Sequence, residues 1–155
     1  MTAVPMTQLV TARASMGNLW MECFATVGVT NAVCAGEWPV VQGQPKKQEH
    51  PGTINLILVT NGCLSHAAMV GAVQVATEAK TGLLRDHAVH SSHSGKTATG
   101  TGTDAVVIAC RLRGQGTLYA YSGTHTIIGA LIGRVVADCV ARGLAKAKKW
   151  QQAYR

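Results

Sequence analysis

The sequence predicts an α+β fold, a central mixed β-sheet with packed helices in one layered domain. Three observations carry this. Residues 20–27, 54–59 and 105–112 read as strands, the first by alternation and the other two by apolar, branched composition. Residues 65–86 and the stretch after His125 repeat their apolar residues at helical spacing. A chain of 155 residues fits a single core, so one domain over 1–155 is expected.

The elements follow in order. Residues 20–27 place Trp20, Glu22, Phe24 and Thr26 on one face and Met21, Cys23, Ala25 and Val27 on the other. Residues 37–52 hold Pro39, Pro45, Pro51, Gly43, Lys46 and Lys47 and read as a polar connection. Residues 54–59 form a nearly unbroken apolar run, suited to a strand buried on both faces, and Asn61-Gly62 reads as the turn that ends it. Ser65 offers an N-cap for a helix running to about Asp86. On that helix Thr77, Lys80, Thr81 and Leu84 share one stripe, and Glu78 lies on another. Residues 87–103 are polar and aperiodic. Asp104 opens the next strand, Gly114-Gln115-Gly116 makes a turn, and residues 118–121 read as its hairpin partner. The last helix buries Ile128, Leu131 or Ile132, Val135 and Cys139, and its polar stripe is Arg134, Asp138, Arg142 and Lys146.

Composition narrows the function classes. The charged fraction is 14%, against the usual quarter, while 47% of residues are hydrophobic. Disorder is therefore excluded, and a large part of the surface is expected either to be Gly, Ser, Thr and Ala or to be covered by another subunit, the latter giving the expected homo-oligomer. No apolar run reaches the roughly 18 residues of a membrane span, and the first residues lack a signal peptide's basic and apolar regions. Five scattered cysteines without a CxxC pair read as reduced thiols of a cytoplasmic protein. The charge of +7 owes much to Lys146, Lys148, Lys149 and Arg155. Flanked by Trp150 and Tyr154, these resemble a nucleic-acid tail, but cations also favour the C-terminal dipole of a helix. The second reading needs no further module, so no nucleic-acid partner is expected.

Several residues invite chemistry. Ser94-Gly95-Lys96-Thr97 imitates the end of a phosphate loop, but His90 stands where that loop needs its first glycine and no helix follows. His87, His90 and His93 have a spacing at which loop imidazoles can meet a metal, yet fixed ligand sets usually include Cys, Asp or Glu partners, and an exposed polar loop is the simpler reading. The run Ala98-Thr99-Gly100-Thr101-Gly102-Thr103-Asp104 suits neither helix nor strand interior. It can bring backbone N–H groups and hydroxyls close to a ligand, with Asp104 orienting a hydroxyl or water. A plain Gly/Thr linker accounts for it equally well. Glu78 and Lys80 place an acid and a base in an apolar helix. His125 precedes a helix and could act as base or ligand contact, or merely sit at the cap. Asn31 could bond a polar substrate or its own turn.

Five segments in order resemble the adenosylcobinamide amidohydrolase family of corrinoid salvage. They are residues 25–32 (ATVGVTNA), 52–55 (GTIN), 76–81 (ATEAKT), 98–104 (ATGTGTD), and 122–125 (SGTH) with 129–133 (GALIG). The resemblance spans roughly positions 20 to 143, and ATEAKT with ATGTGTD are its most specific parts. It implies hydrolysis of the amide joining aminopropanol to the corrin ring, with adenosylcobyric acid as product. The partner would be a corrinoid substrate. Its cobalt belongs to that substrate, so neither a protein-bound metal nor another cofactor is implied. Members of the family are longer at the N-terminus, so a short form lacking an outer segment is expected.

Amide hydrolysis needs a nucleophile, a base and oxyanion donors. No G-x-S-x-G elbow is present. On this reading Asp104 or Glu78 activates water or Thr103, N–H groups at Gly100 and Gly102 hold the oxyanion, and Lys80 or His125 protonates the leaving amine. Asn31, Asn55, Thr77, Thr99, Gly100, Thr101 and Gly102 are the expected substrate contacts. The rivals are a corrinoid-binding protein without catalysis and a related amidase with a threonine nucleophile.

Overall fold

A computed structural model describes residues 4–38 and 52–153. The proline-containing part of the expected connection, residues 39–51, lies outside the described residues, as do Tyr154 and Arg155. Nine elements follow a short 3-10 turn: β1 (Val10–Met16), β2 (Leu19–Val27), β3 (Ala32–Val33), β4 (Ile54–Leu64), α1 (His66–Asp86), β5 (Gly100–Thr101), β6 (Ala105–Arg111), β7 (Leu118–Tyr119) and α2 (Ile127–Ala153). The expected α+β layering is present. One mixed sheet has the order β1-β2-β4-β6, with β7 also pairing β4, and β3 and β5 form a separate ribbon.

β1 is an element the composition concealed, because Thr, Ala, Arg and Ser fill most of it. It pairs antiparallel with β2 through a two-residue turn, with Met16 opposite Leu19. Gly17 takes φ 58° in that turn, a region that glycine enters without a Cβ clash. On β2 the alternation holds: Met21, Cys23, Ala25 and Val27 are buried.

β4 corrects two expectations. It is not buried on both faces, since Ile57 remains 45% exposed while Ile54, Leu56 and Leu58 are in the core. Asn61-Gly62 is not a terminating turn either; the strand runs through it to Leu64 with a register shift between Val59 and Cys63. Side-chain bonds replace ladder bonds at that point. Asn61 Oδ1 accepts from Trp20 N (2.9 Å), and its Nδ2 donates to Asn18 O (2.7 Å). A Cβ at Gly62 would sit 3.2 Å from both Leu19 and Tyr119, so the position fits only glycine comfortably.

The crossover from β4 to the parallel β6 is α1. Ser65 caps it as expected, its Oγ accepting from Ala68 N (3.1 Å). The hairpin expected after β6 is absent. Leu118 and Tyr119 instead pair parallel to Cys63 and Leu64 of β4. β4 outruns β6, which ends at Arg111, and Thr117 O and Tyr119 O accept from Cys63 N and Ser65 N on the vacated edge. Returning antiparallel to β6 would have left those β4 groups unpaired.

α2 packs on β1 and β2, α1 packs on β4 and β6, and the two helices touch. One core therefore lies between the sheet and the helix layer, filled by Ile54, Leu56, Leu58, Leu84, Ile128, Ile132, Val135 and Val140. The polar stripe of α2 is used internally: Arg142 donates to Thr11 O and Asp138 Oδ2, and Lys146 donates to Leu9 O.

Candidate active site

Three segments meet beside the amino ends of β4 and β6. The β3–β5 ribbon pairs Ala32 with Thr101 and Val33 with Gly100. The last turns of α1 lie next to it, because Thr81 Oγ1 donates to Thr99 O (2.9 Å). The loop closing on β6 is tied to β4 by Asp104, whose Oδ1 accepts from Ile54 N (3.0 Å). Between these pieces opens a groove of about 510 Å3, lined on its polar side by Thr77, Lys80, Thr99, Thr101 and Asp104.

Asp104 is the centre of the arrangement. Its Oδ2 pairs with Lys80 Nζ and accepts from Thr101 N (3.0 Å). Its Oδ1 accepts from Thr101 Oγ1 (2.5 Å) as well as from Ile54 N. The side chains are only 7% exposed for Lys80 and 14% for Asp104, so each charge depends on the other for solvation. Gly100 is required by this pair: a Cβ there would lie 2.5 Å from Asp104 Oδ2 and 2.9 Å from Lys80 Nζ.

The other expected residues are distributed. Thr77, Thr99, Gly100, Thr101 and Gly102 line the groove with Lys80 and Asp104. Thr103 does not contact Asp104; its Oγ1 donates to Thr53 Oγ1 (3.0 Å), a strand-end contact. The hydroxyl on the carboxylate belongs to Thr101. Glu78 faces solvent and accepts from Gln74 Nε2 (2.9 Å). His125 is exposed at the far end of α1. Nearby Ser122 donates to Ala68 O, about 18 Å before Lys80 along the helix at 1.5 Å per residue. Asn31 and Asn55 line no wall of the groove, and their Oδ1 atoms are buried without a partner among the described residues. Of the three loop histidines, His90 Nδ1 is 3.1 Å from Gly95 O, and no three His, Cys, Asp or Glu side chains among the described residues could hold a metal ion together.

Sequence reasoning missed the opposite wall, Val33 and Ala35, whose placement follows from ribbon pairing alone. It also missed a latch behind that wall. Glu37 accepts from Ser91 Oγ (2.6 Å), Ser94 Oγ and Cys34 N (3.1 Å). The two serine hydroxyls, then the Cys34 N–H and the nearby His93, hold its carboxyl down to about 2. Ala35 N donates to Thr99 Oγ1 (2.8 Å) and Ser92 N to Ala32 O (2.8 Å), so the latch keeps the two loops that form the groove together.

A family model described as adenosylcobinamide amidohydrolase matches residues 1–152. The chain belongs to that family. Curated relatives agree. An adenosylcobinamide amidohydrolase of Halobacterium salinarum is 35% identical over 77% of the chain and 48% of its own length. One of Methanosarcina mazei is 33% identical over 81% of the chain and 56% of its own length. An uncharacterised protein of Methanocaldococcus jannaschii is 32% identical over 96% of the chain and 62% of its own length. The chain thus spans about half to three fifths of these relatives. No solved structure matches it. The family's description names the hydrolysis of an amide. No helix among the described residues is long and apolar enough to cross a membrane.

Proposed function

We propose that the chain cleaves the amide between aminopropanol and the corrin ring of adenosylcobinamide, releasing aminopropanol and adenosylcobyric acid. The observation that carries this reading is the Thr101–Asp104–Lys80 constellation on the polar side of an open groove. The groove admits the aminopropanol arm while the macrocycle stays outside, and the cobalt remains part of the substrate.

Thr101 Oγ attacks the amide carbonyl carbon as its proton passes to Asp104, 2.5 Å away. The Lys80 charge, held at the groove by Asp104, stabilises the oxyanion. The C–N bond then breaks, and the departing amine takes the proton from Asp104. Water attacks the Thr101 ester by the same proton path, releasing the carboxylic acid and restoring the hydroxyl. Incubation with adenosylcobinamide is expected to give adenosylcobyric acid. Thr101→Val is expected to slow turnover by about 100-fold or more, with Thr101→Ser retaining activity. Undiminished turnover in Thr101→Val would exclude this nucleophile.

One observation favours a second reading, corrinoid binding without turnover: both oxygens of Asp104 already accept two bonds each. Intact corrinoid binding with no product would select it. The homo-oligomer and the cytoplasmic location expected from composition and cysteine usage belong to the same proposal. The helix-free sheet face carries Phe24, Ile57 and Val107 in one cross-strand row, with Val107 51% exposed, and is where a second copy would sit.

A further inference from the structure

A second cavity lies at the other end of the molecule and holds none of the family motifs discussed above. It measures about 710 Å3, within the range of small-molecule sites, between the first turns of α1 and the end of β6. Its apolar walls include Met69, Ile108, Leu112 and Leu118, and its polar side chains include His66, Arg111 and Arg113. The cavity lies outside the carboxyl ends of two parallel strands, β4 and β6, where open sheets with parallel strands leave a crevice for ligands.

The charges of this cavity are one-sided. No carboxylate lines it. Among the described residues the acids are committed elsewhere: Glu22 to Arg13, Asp86 to Arg85, Asp104 to Lys80, Asp138 to Arg142, Glu37 to the serine latch and Glu78 to Gln74. Arg111 and Arg113 have no ion-pair partner among those residues. Leu112, between them in the sequence, is 71% exposed. Guanidinium forks match the oxygens of phosphate and carboxylate, and the apolar walls favour a hydrophobic body.

We propose that this cavity is a second binding site, for a small organic anion with an apolar body, a phosphate monoester or a carboxylate. It is independent of the amidase reading, because it shares no residue with the groove at Lys80 and Asp104. The site can be occupied whether or not the chain hydrolyses a corrinoid.

The test follows backbone amide resonances of the full chain during titration with phenyl phosphate, benzoate, inorganic phosphate and benzyl alcohol. Phenyl phosphate or benzoate is expected to shift residues 65–69 and 108–113 saturably, and whichever binds tighter identifies the head group. Inorganic phosphate is expected to shift the same amides more weakly, and benzyl alcohol not to saturate. The double variant Arg111→Gln, Arg113→Gln is expected to lose about tenfold or more in affinity, since charged hydrogen bonds contribute on that scale. Both arginines are exposed, so the fold is expected to be unaffected. Undiminished binding in that variant, equal binding of benzyl alcohol, or no saturable shift at these amides would overturn the proposal. Shifts that depend on protein concentration without any anion would assign the cavity to a second copy and would also overturn it.

Discussion

Asp104 ties β4, β5 and α1 together through one side chain. It accepts two backbone N–H groups, one hydroxyl and the Lys80 ammonium. Asp104→Ala leaves that ammonium buried without its counter-charge, so a loss of about 3 kcal/mol in urea unfolding is expected. Gly100→Ala disturbs the same pair from the other side and is expected to lower stability by about 1–3 kcal/mol and to reduce turnover with it. Glu37 has a pH signature instead. Its carboxyl is held down at about 2 from an ordinary 4.5, so its contribution is complete above about 4.5 and drains as pH falls toward 2. Glu37→Gln should remove that part of the acid-unfolding curve; an unchanged curve between pH 4.5 and 2 would deny the latch its role. At this scale the sequence was partly legible. The stripe Thr77–Lys80–Thr81 and the loop were visible as a pattern, and residues 99–102 and Asp104 of that loop do line one groove with it. That Thr101 rather than Thr103 touches Asp104 was not visible. The two threonines are two residues apart, so alternation alone would put them on one side; the turn at 102–103 and the pairing of Thr101 with Ala32 of β3, 69 residues earlier in the chain, separate them.

Among the elements, α2 meets β2 with little space to spare. A Cβ at Gly143 would lie 2.5 Å from Val27 Cγ2 and 2.7 Å from Val27 Cβ. Gly143→Ala is therefore expected to destabilise by about 1–3 kcal/mol through overpacking, despite the better helix propensity of alanine; thermal unfolding checks the sign. Both helices were legible, since each carries a capping or periodic signal within its own sequence. The strands were less so. β1 has few branched residues and owes its place to pairing with β2, and β7 is two residues whose partner is β4 rather than its neighbour in sequence. In both, tertiary pairing decides what local composition leaves open.

For the whole molecule, the sheet has one face under helices and one without, which accords with the low charged fraction read from composition. The family motifs spread across both ends of α1: ATEAKT and ATGTGTD meet at one end, SGTH at the other. α1 separates these ends in space and also orders them in time. The β1–β2 hairpin, closed by two residues, can form within about 1–10 μs. The groove joins partners far apart in the chain, since Asp104 reaches Ile54 across 50 residues and Lys80 across 24. Loop closure on that scale is slow, and it needs the β4–α1–β6 crossover to be in place first. The groove end should therefore assemble last and open first. Native-state hydrogen exchange should find the Thr101 amide, which donates to Asp104, exchanging through a smaller opening than the amides of β2. Equal protection at the two places would mean that groove and hairpin open as a single unit.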